Sequence, residues 1–352
     1  MKAARIAMGC GVALAALCLS DSRVPDRDVA EPDRRAEPGG RRWAAVAWDT
    51  AFVVGGPEDT LLHLPTRLAA DDAGVSVLDR AAGRVLRFDR RGHLLWSFGR
   101  RGGGPDEFDH PRDIRMDRRR RTWVLDVGNG RVVTIGEHGT SDGRIPLAAV
   151  GRTADSLVPE EDGGVLLLTL EAQRPIVRLS RSGEVLERVS FPSPEHERRH
   201  PLASQLVVGH DPTEGEWVGA YGLGDGFFAF RSTSWLGYRG RYIERVEFPR
   251  VEQSGRFDLG RRERTSWLSG VTFAAETVSV SRGRIYVFFG GTSSDRHQVM
   301  DVYSTDDGTY LESLRLPLRP THAVYANGLI YALHESPYPV LVAWRPRKER
   351  TP

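Results

Sequence analysis

The sequence predicts an all-β fold: a six-bladed β-propeller of four-stranded antiparallel blades, its ring closed by an N-terminal strand. Three observations carry this expectation. First, Val77-Leu78-Asp79 followed by Gly83-Arg84-Val85 returns as Val124-Leu125-Asp126 followed by Gly130-Arg131-Val132, 47 residues later. Gly92 and Gly139 keep that offset of 47, and Gly283-Arg284-Ile285-Tyr286 returns as Gly328-Leu329-Ile330-Tyr331 at 45. Periods of this size, filled with short apolar runs and Gly/Asp turns, mark propeller blades. Second, 38 Gly and 21 Pro in 352 residues supply the turns that such a chain needs. Third, the last blade has room for only three strands, while an unassigned strand waits at the other end of the chain.

Composition narrows the alternatives. With 40% hydrophobic and 27% charged residues, the chain has the make-up of a soluble globular protein, not of a disordered or polytopic membrane protein. The formal net charge of +2 comes from Lys2 and Arg5, so the chain beyond them is neutral. A neutral chain has no global field to draw it to nucleic acid, and nucleic acid is excluded as a partner.

Residues 1–20 read as an export signal: Lys2 and Arg5, an apolar run from Ile6 to Leu19, then Ser20-Asp21-Ser22. Both cysteines, Cys10 and Cys18, lie inside this segment. Three outcomes stay open: lipidation at Cys18, cleavage near Ser20, or a retained anchor. Each places the folded part outside the cytoplasm, in the periplasm, in the cell envelope or secreted. Any membrane attachment would run through the anchor or the lipid at Cys18. Residues 21–42 alternate six acids and six arginines with Pro and Gly, the pattern of a solvated tether.

The propeller is expected over residues 43–346, with a tail at 347–352. Val77-Leu78-Asp79 and Val124-Leu125-Asp126 define the first two blades, Leu166-Leu167-Leu168 a third and Phe227-Phe228-Ala229-Phe230 a fourth. Outer strands are expected where apolar runs end on Pro: Val189 to Pro192, Val246 to Pro249 and Leu314 to Pro317. Stretched spacing predicts insertions near Pro194 to Gly215 and Arg250 to Ser266. The last blade offers His322 to Ala326, Leu329 to His334 and Val340 to Arg345. Trp43 to Trp48 with Ala51 to Val54 would complete it and remove the open edges.

The stretch from Phe98 to Gly139 resembles an NHL repeat, running from a Gly-rich turn (Gly102 to Phe108) through a Pro-led strand to Val124-Leu125-Asp126, Asn129 and Arg131-Val132. The overall plan is similar to exported bacterial six-bladed propellers of unknown function. The resemblance implies the fold; propellers of this kind host signalling, binding, lyase and lactonase roles.

Asp79, Arg84, Asp126, Asn129 and Arg131 recur at fixed offsets and are expected to be structural, bonding turns or each other between strands. The Gly102 to Phe108 turn lacks the Lys-Ser/Thr of a phosphate loop and reads as a connector between blades. Arg118 to Arg121 reads as a solvated hairpin tip. His63, His110, His200 and His322 each precede an inner strand, so connectors could gather them, with Asp109, at one mouth of the central channel. Asp113, Asp225 and Glu335 are further candidates there. Convergent imidazoles can hold a divalent metal (Zn or Ca), with His110 and His322 as the first candidates. NHL-type amidating lyases place metal-binding histidines near the channel, but no lyase motif accompanies these. Two readings follow: a module that binds a small molecule, peptide or protein at the channel mouth, or a metal-dependent lyase or hydrolase.

Overall fold

The computed structural model describes residues 40–171, 174–190, 205–258, 261–335 and 337–348. It begins with β1 (Val46–Gly55), which belongs to the last blade. Blade 1 is β2 (Pro65–Ala70), β3 (Gly74–Asp79), β4 (Arg84–Asp89) and β5 (Leu94–Phe98). Blade 2 is β6 (Pro111–Met116), β7 (Thr122–Asp126), β8 (Arg131–Ile135) and β9 (Ser141–Pro146). Blade 3 follows with β10 (Ala154–Pro159), β11 (Val165–Thr169), β12 (Ile176–Leu179) and β13 (Val185–Val189). Blade 4 has β14 (Leu206–Asp211), β15 (Glu216–Tyr221), β16 (Phe227–Arg231) and β17 (Ser234–Gly240). A separate hairpin, β18 (Arg250–Asp258) with β19 (Arg261–Ser269), stands between blades 4 and 5. Blade 5 is β20 (Ala275–Ser281), β21 (Arg284–Phe289), β22 (Val299–Ser304) and β23 (Tyr310–Arg315). Blade 6 is β24 (His322–Ala326), β25 (Leu329–His334) and β26 (Val340–Lys348), completed by β1.

The repeat in the sequence has a backbone cause. Gly83 and Gly130 sit at φ +62 and +61, the left-handed region, where they turn β3 into β4 and β7 into β8. A Cβ on Gly83 would also lie 2.7 Å from the Arg101 backbone. Asp79 Oδ1 and Oδ2 accept the backbone N–H groups of Leu64 and His63, while Arg84 donates to the Leu61 carbonyl. In blade 2, Asp126 accepts from the Asp109 backbone N–H, Asn129 Nδ2 and Arg131 Nε. Arg131 also donates to the Gly104 and Glu107 carbonyls. These side chains therefore fasten the connectors into blades 1 and 2 to the second strand of the blade each enters.

Six buried clusters lie between neighbouring blades, one at each junction around the ring. Alternation along β3 sends Val75 and Val77 toward blade 6 and Leu78 toward blade 2. Ring closure is antiparallel pairing of β1 with β26, from Val46 with Lys348 to Gly55 with Val340, with a one-residue slip at Ala51. Trp48 packs on Trp344 at 6.5 Å and Phe52 on Tyr331 at 6.1 Å. Strand β26 runs to Lys348, two residues past the expected end of the propeller.

Two sequence expectations need correction. Val246 to Pro249 is not an outer strand; that place in blade 4 belongs to β17. Val246 is buried, and Phe248 packs edge-on to Tyr221 at 5.0 Å, so an irregular segment plugs an apolar gap and imitates a strand. The insertion expected at Pro194 to Gly215 overlaps β14, the inner strand of blade 4; residues 191–204 lie outside the described residues. Among the described residues, no helix is long and apolar enough to cross a membrane.

Candidate functional site in the central channel

The inner strands β2, β6, β10, β14, β20 and β24 succeed one another around the axis and all run the same way. Their first residues adjoin the inter-blade connectors, and their last residues enter the hairpins to the second strands. In β2, β6, β10 and β20 the pairing with the second strand slips by one residue, after Pro65, Pro111, Ala154 and Ala275. Such a bulge re-aims the side chains around it. Thr66, Arg112, Asp155 and Glu276 are the extra residues, and Arg67 and Asp113 follow directly.

A cavity of about 530 Å³ occupies the channel. It reaches from residues at the strand starts, such as Gln205 and His322, to the hairpins around Asp72, Arg118 and Asn327. At its heart Asp113, 2% exposed, accepts from Arg115 Nη1 at 2.7 Å and from the Leu157 backbone N–H. Arg115 also crosses the channel, donating from Nη2 to the Val208 carbonyl on blade 4 at 2.9 Å. Burial raises the Asp113 pKa against the opposing pull of Arg115 and Arg67, and lowers that of Arg115. Arg67 projects into the same space, exposed, and among the described residues donates only to the Thr66 carbonyl.

His322 lines the cavity at 6% exposure, and its Nδ1 has no hydrogen-bond partner among the described residues. Burial first, then the charges of Arg67 and Arg115, hold it neutral, its pKa well below the ordinary histidine value. His210, also on the lining, is pushed down to about 4 by burial and Arg115. Of the other acids of the lining, Asp72 meets Arg120, Asp211 accepts from Thr213, and exposed Glu214 has no side-chain partner among the described residues; the remaining four have cationic or polar partners. Asp155 meets Arg112 and Gln205, Glu276 meets His297, Asp71 meets Arg87, and Asp117 meets Arg121.

Of the histidines expected at the channel mouth, among the described residues the structure brings His322 alone to the cavity lining. His63 and His110 are exposed on connectors, and His110 Nδ1 lies 2.7 Å from Asp109 Oδ1. His200 lies outside the described residues, as does Cys18. Asp113 is in the cavity, Asp225 caps the Tyr242 backbone N–H, and Glu335 is exposed. Among the described residues, no three His, Cys, Asp or Glu side chains come together in a way that could hold a metal ion. Arg118, Arg120 and Arg121 are tied to Glu161, Asp72, Glu137, Asp117 and Asp142, so this basic hairpin is largely neutralised.

Sequence reasoning passed over Arg67 and Arg115. Their signal was present: charged residues within apolar inner strands, where the faces pack on neighbouring blades and the channel is the remaining source of water.

No protein-family model matches the chain. Over 72 residues it is 32% identical to the human NHL repeat-containing protein 3, covering 19% of this chain and 21% of that protein. The chain thus matches about a fifth of that relative's length. Among solved structures, a Bacteroides fragilis protein named for its expected export aligns at TM-score 0.55 with 8% identity, over 86% of this chain and 96% of that one. Virginiamycin B lyase of Staphylococcus aureus aligns at 0.51 with 9% identity, over 85% and 99%. A gluconolactonase of Xanthomonas campestris aligns at 0.50 with 13% identity, over 87% and 92%. At these identities the likeness is one of fold. The chain is a six-bladed β-propeller with an NHL-like repeat.

Proposed function

We propose that the protein is an extracytoplasmic binding module that takes a small molecule, or a short segment of a peptide or protein, into its central channel. The observation that carries this reading is the cavity itself. Its volume falls in the range of small-ligand sites, and polar side chains from all six blades converge on it. The signal-like residues 1–20, and the description of one structural neighbour as exported, support the location.

Expression of the full chain in a bacterial host, followed by a thermal-shift screen of small fragments, tests both parts. Fragments should raise the melting temperature of the wild type and leave Ser281→Trp unchanged, because a tryptophan at this lining position narrows the mouth. A screen in which every stabilising fragment acts equally on the variant would remove the channel as the site. Recovery from the cytoplasm with residues 1–20 still attached would remove the extracytoplasmic location.

A further inference from the structure

The lining charges do not cancel at one place. Asp155, Glu276, Asp71 and Asp117 have partners of their own, and Asp113 spends its two oxygens on Arg115 and the Leu157 backbone N–H. Arg67 has no acidic partner among the described residues, although it stands close enough to Asp113, Arg115 and His322 to bias the protonation of all three. Two guanidinium groups thus face one carboxylate, beside a neutral imidazole whose Nδ1 is unbonded. Around Asp113 that leaves one positive charge in excess and the Nε and Nη2 fork of Arg67 without a bond among the described residues; at the hairpin end Asp211 and Glu214 have no cationic partner there and Arg282 no acidic one.

We infer that the channel is a site for the carboxylate of a small organic acid, held by the free fork of Arg67 with Arg115 behind it and His322 at its side. This rests on the channel-binding reading and names its ligand class. A planar guanidinium fork matches a carboxylate with two parallel N–H bonds. One surplus charge is answered by a monoanion; a phosphate dianion would leave a second negative charge among Asp113, Asp155 and Glu276. The body of the acid would lie toward Tyr325, which lines the cavity and is stacked on Tyr286 at 3.9 Å. About 530 Å³ admits an acid of this kind with its hydration water.

Titrating the full chain with acetate, propionate and benzoate, their neutral amides, and inorganic phosphate at constant ionic strength tests the inference. The ring resonances of His322 report channel occupancy in each case. The expected result is that at least one acid shifts them saturably and binds roughly tenfold or more tightly than its amide. Arg67→Gln should abolish that preference and Arg67→Lys retain part of it. Arg67 makes no ion pair among the described residues, so both variants should keep the wild-type melting temperature. Amides that bind as tightly as acids, or an acid preference that survives Arg67→Gln, would overturn the carboxylate site and leave the channel reading standing. Phosphate binding more tightly than every acid would overturn the monoanion assignment. If none of the probes moves the His322 resonances, the carboxylate site falls; the channel reading then stands or falls on the fragment screen with Ser281→Trp.

Discussion

Arg41 is the residue whose role departs most from its sequence context. In a run of alternating charges it reads as part of a solvated tether, yet its side chain is 10% exposed. Its Nε donates to Asp301 Oδ1 at 3.0 Å and its Nη1 to Glu244 Oε2 at 2.8 Å, with the guanidinium 5.2 Å from the Phe289 ring. Asp301 is fully buried, and Ser313 Oγ is its other partner. Removing one member of such a set strands a charge out of water, at a cost of about 3–5 kcal/mol. Arg41→Ala should therefore lower the urea midpoint strongly, and a second substitution, Asp301→Asn, should recover part of the loss. An unchanged midpoint in Arg41→Ala would mean that this latch contributes nothing. No pattern in the sequence could reveal it, because the partners lie 203 and 260 residues away.

At the scale of elements, β1 makes the clearest prediction. Half-buried Val46, Trp48, Phe52 and Val54 pack against the blade 5–6 and blade 6–1 clusters. Deleting residues 43–54 should cost on the order of 4 kcal/mol from these side chains alone. A truncated protein that melts with the full chain would refute closure by this strand. The strands were largely legible because apolar alternation and left-handed glycines recur blade by blade. Val246 and Phe248 misled because a buried plug and a strand carry the same apolar signature. The site was less legible for a geometric reason. A one-residue bulge turns the start of four inner strands, whereas β24 pairs from His322 without a slip. That register seats His322 in the first pair of its strand and on the cavity lining, while His63 and His110 stay on their connectors. Counting residues before a strand cannot detect a shift of one.

The channel also governs how the whole molecule responds to acid. His210 is held at about 4 and His322 well below 6.5, so the unfolded chain takes up protons that the folded one refuses. Their contribution is complete above about pH 6.5 and is lost as the pH falls toward 4. For His210 alone it amounts to about 3 kcal/mol. Arg115, Asp211 and Asp117 face His210, and Arg67 and Arg115 face His322. Asp113, Asp126, Asp225 and Asp301, with pKa values raised by burial, act in the opposite sense at the acid end of that window. Denaturant midpoints measured from pH 7.5 to 5 should fall steadily; a rise would contradict the neutral histidines. The pairing of β1 with β26 carries a last consequence, for the order of synthesis. A ribosome makes β1 first, but its partner exists only after Val340 to Lys348 has emerged. Five blades can assemble as their strands appear, while the sixth waits for β26, the last strand of the ring. A nascent chain halted before that point keeps an open ring, with a bare strand edge at each end to be shielded from its neighbours.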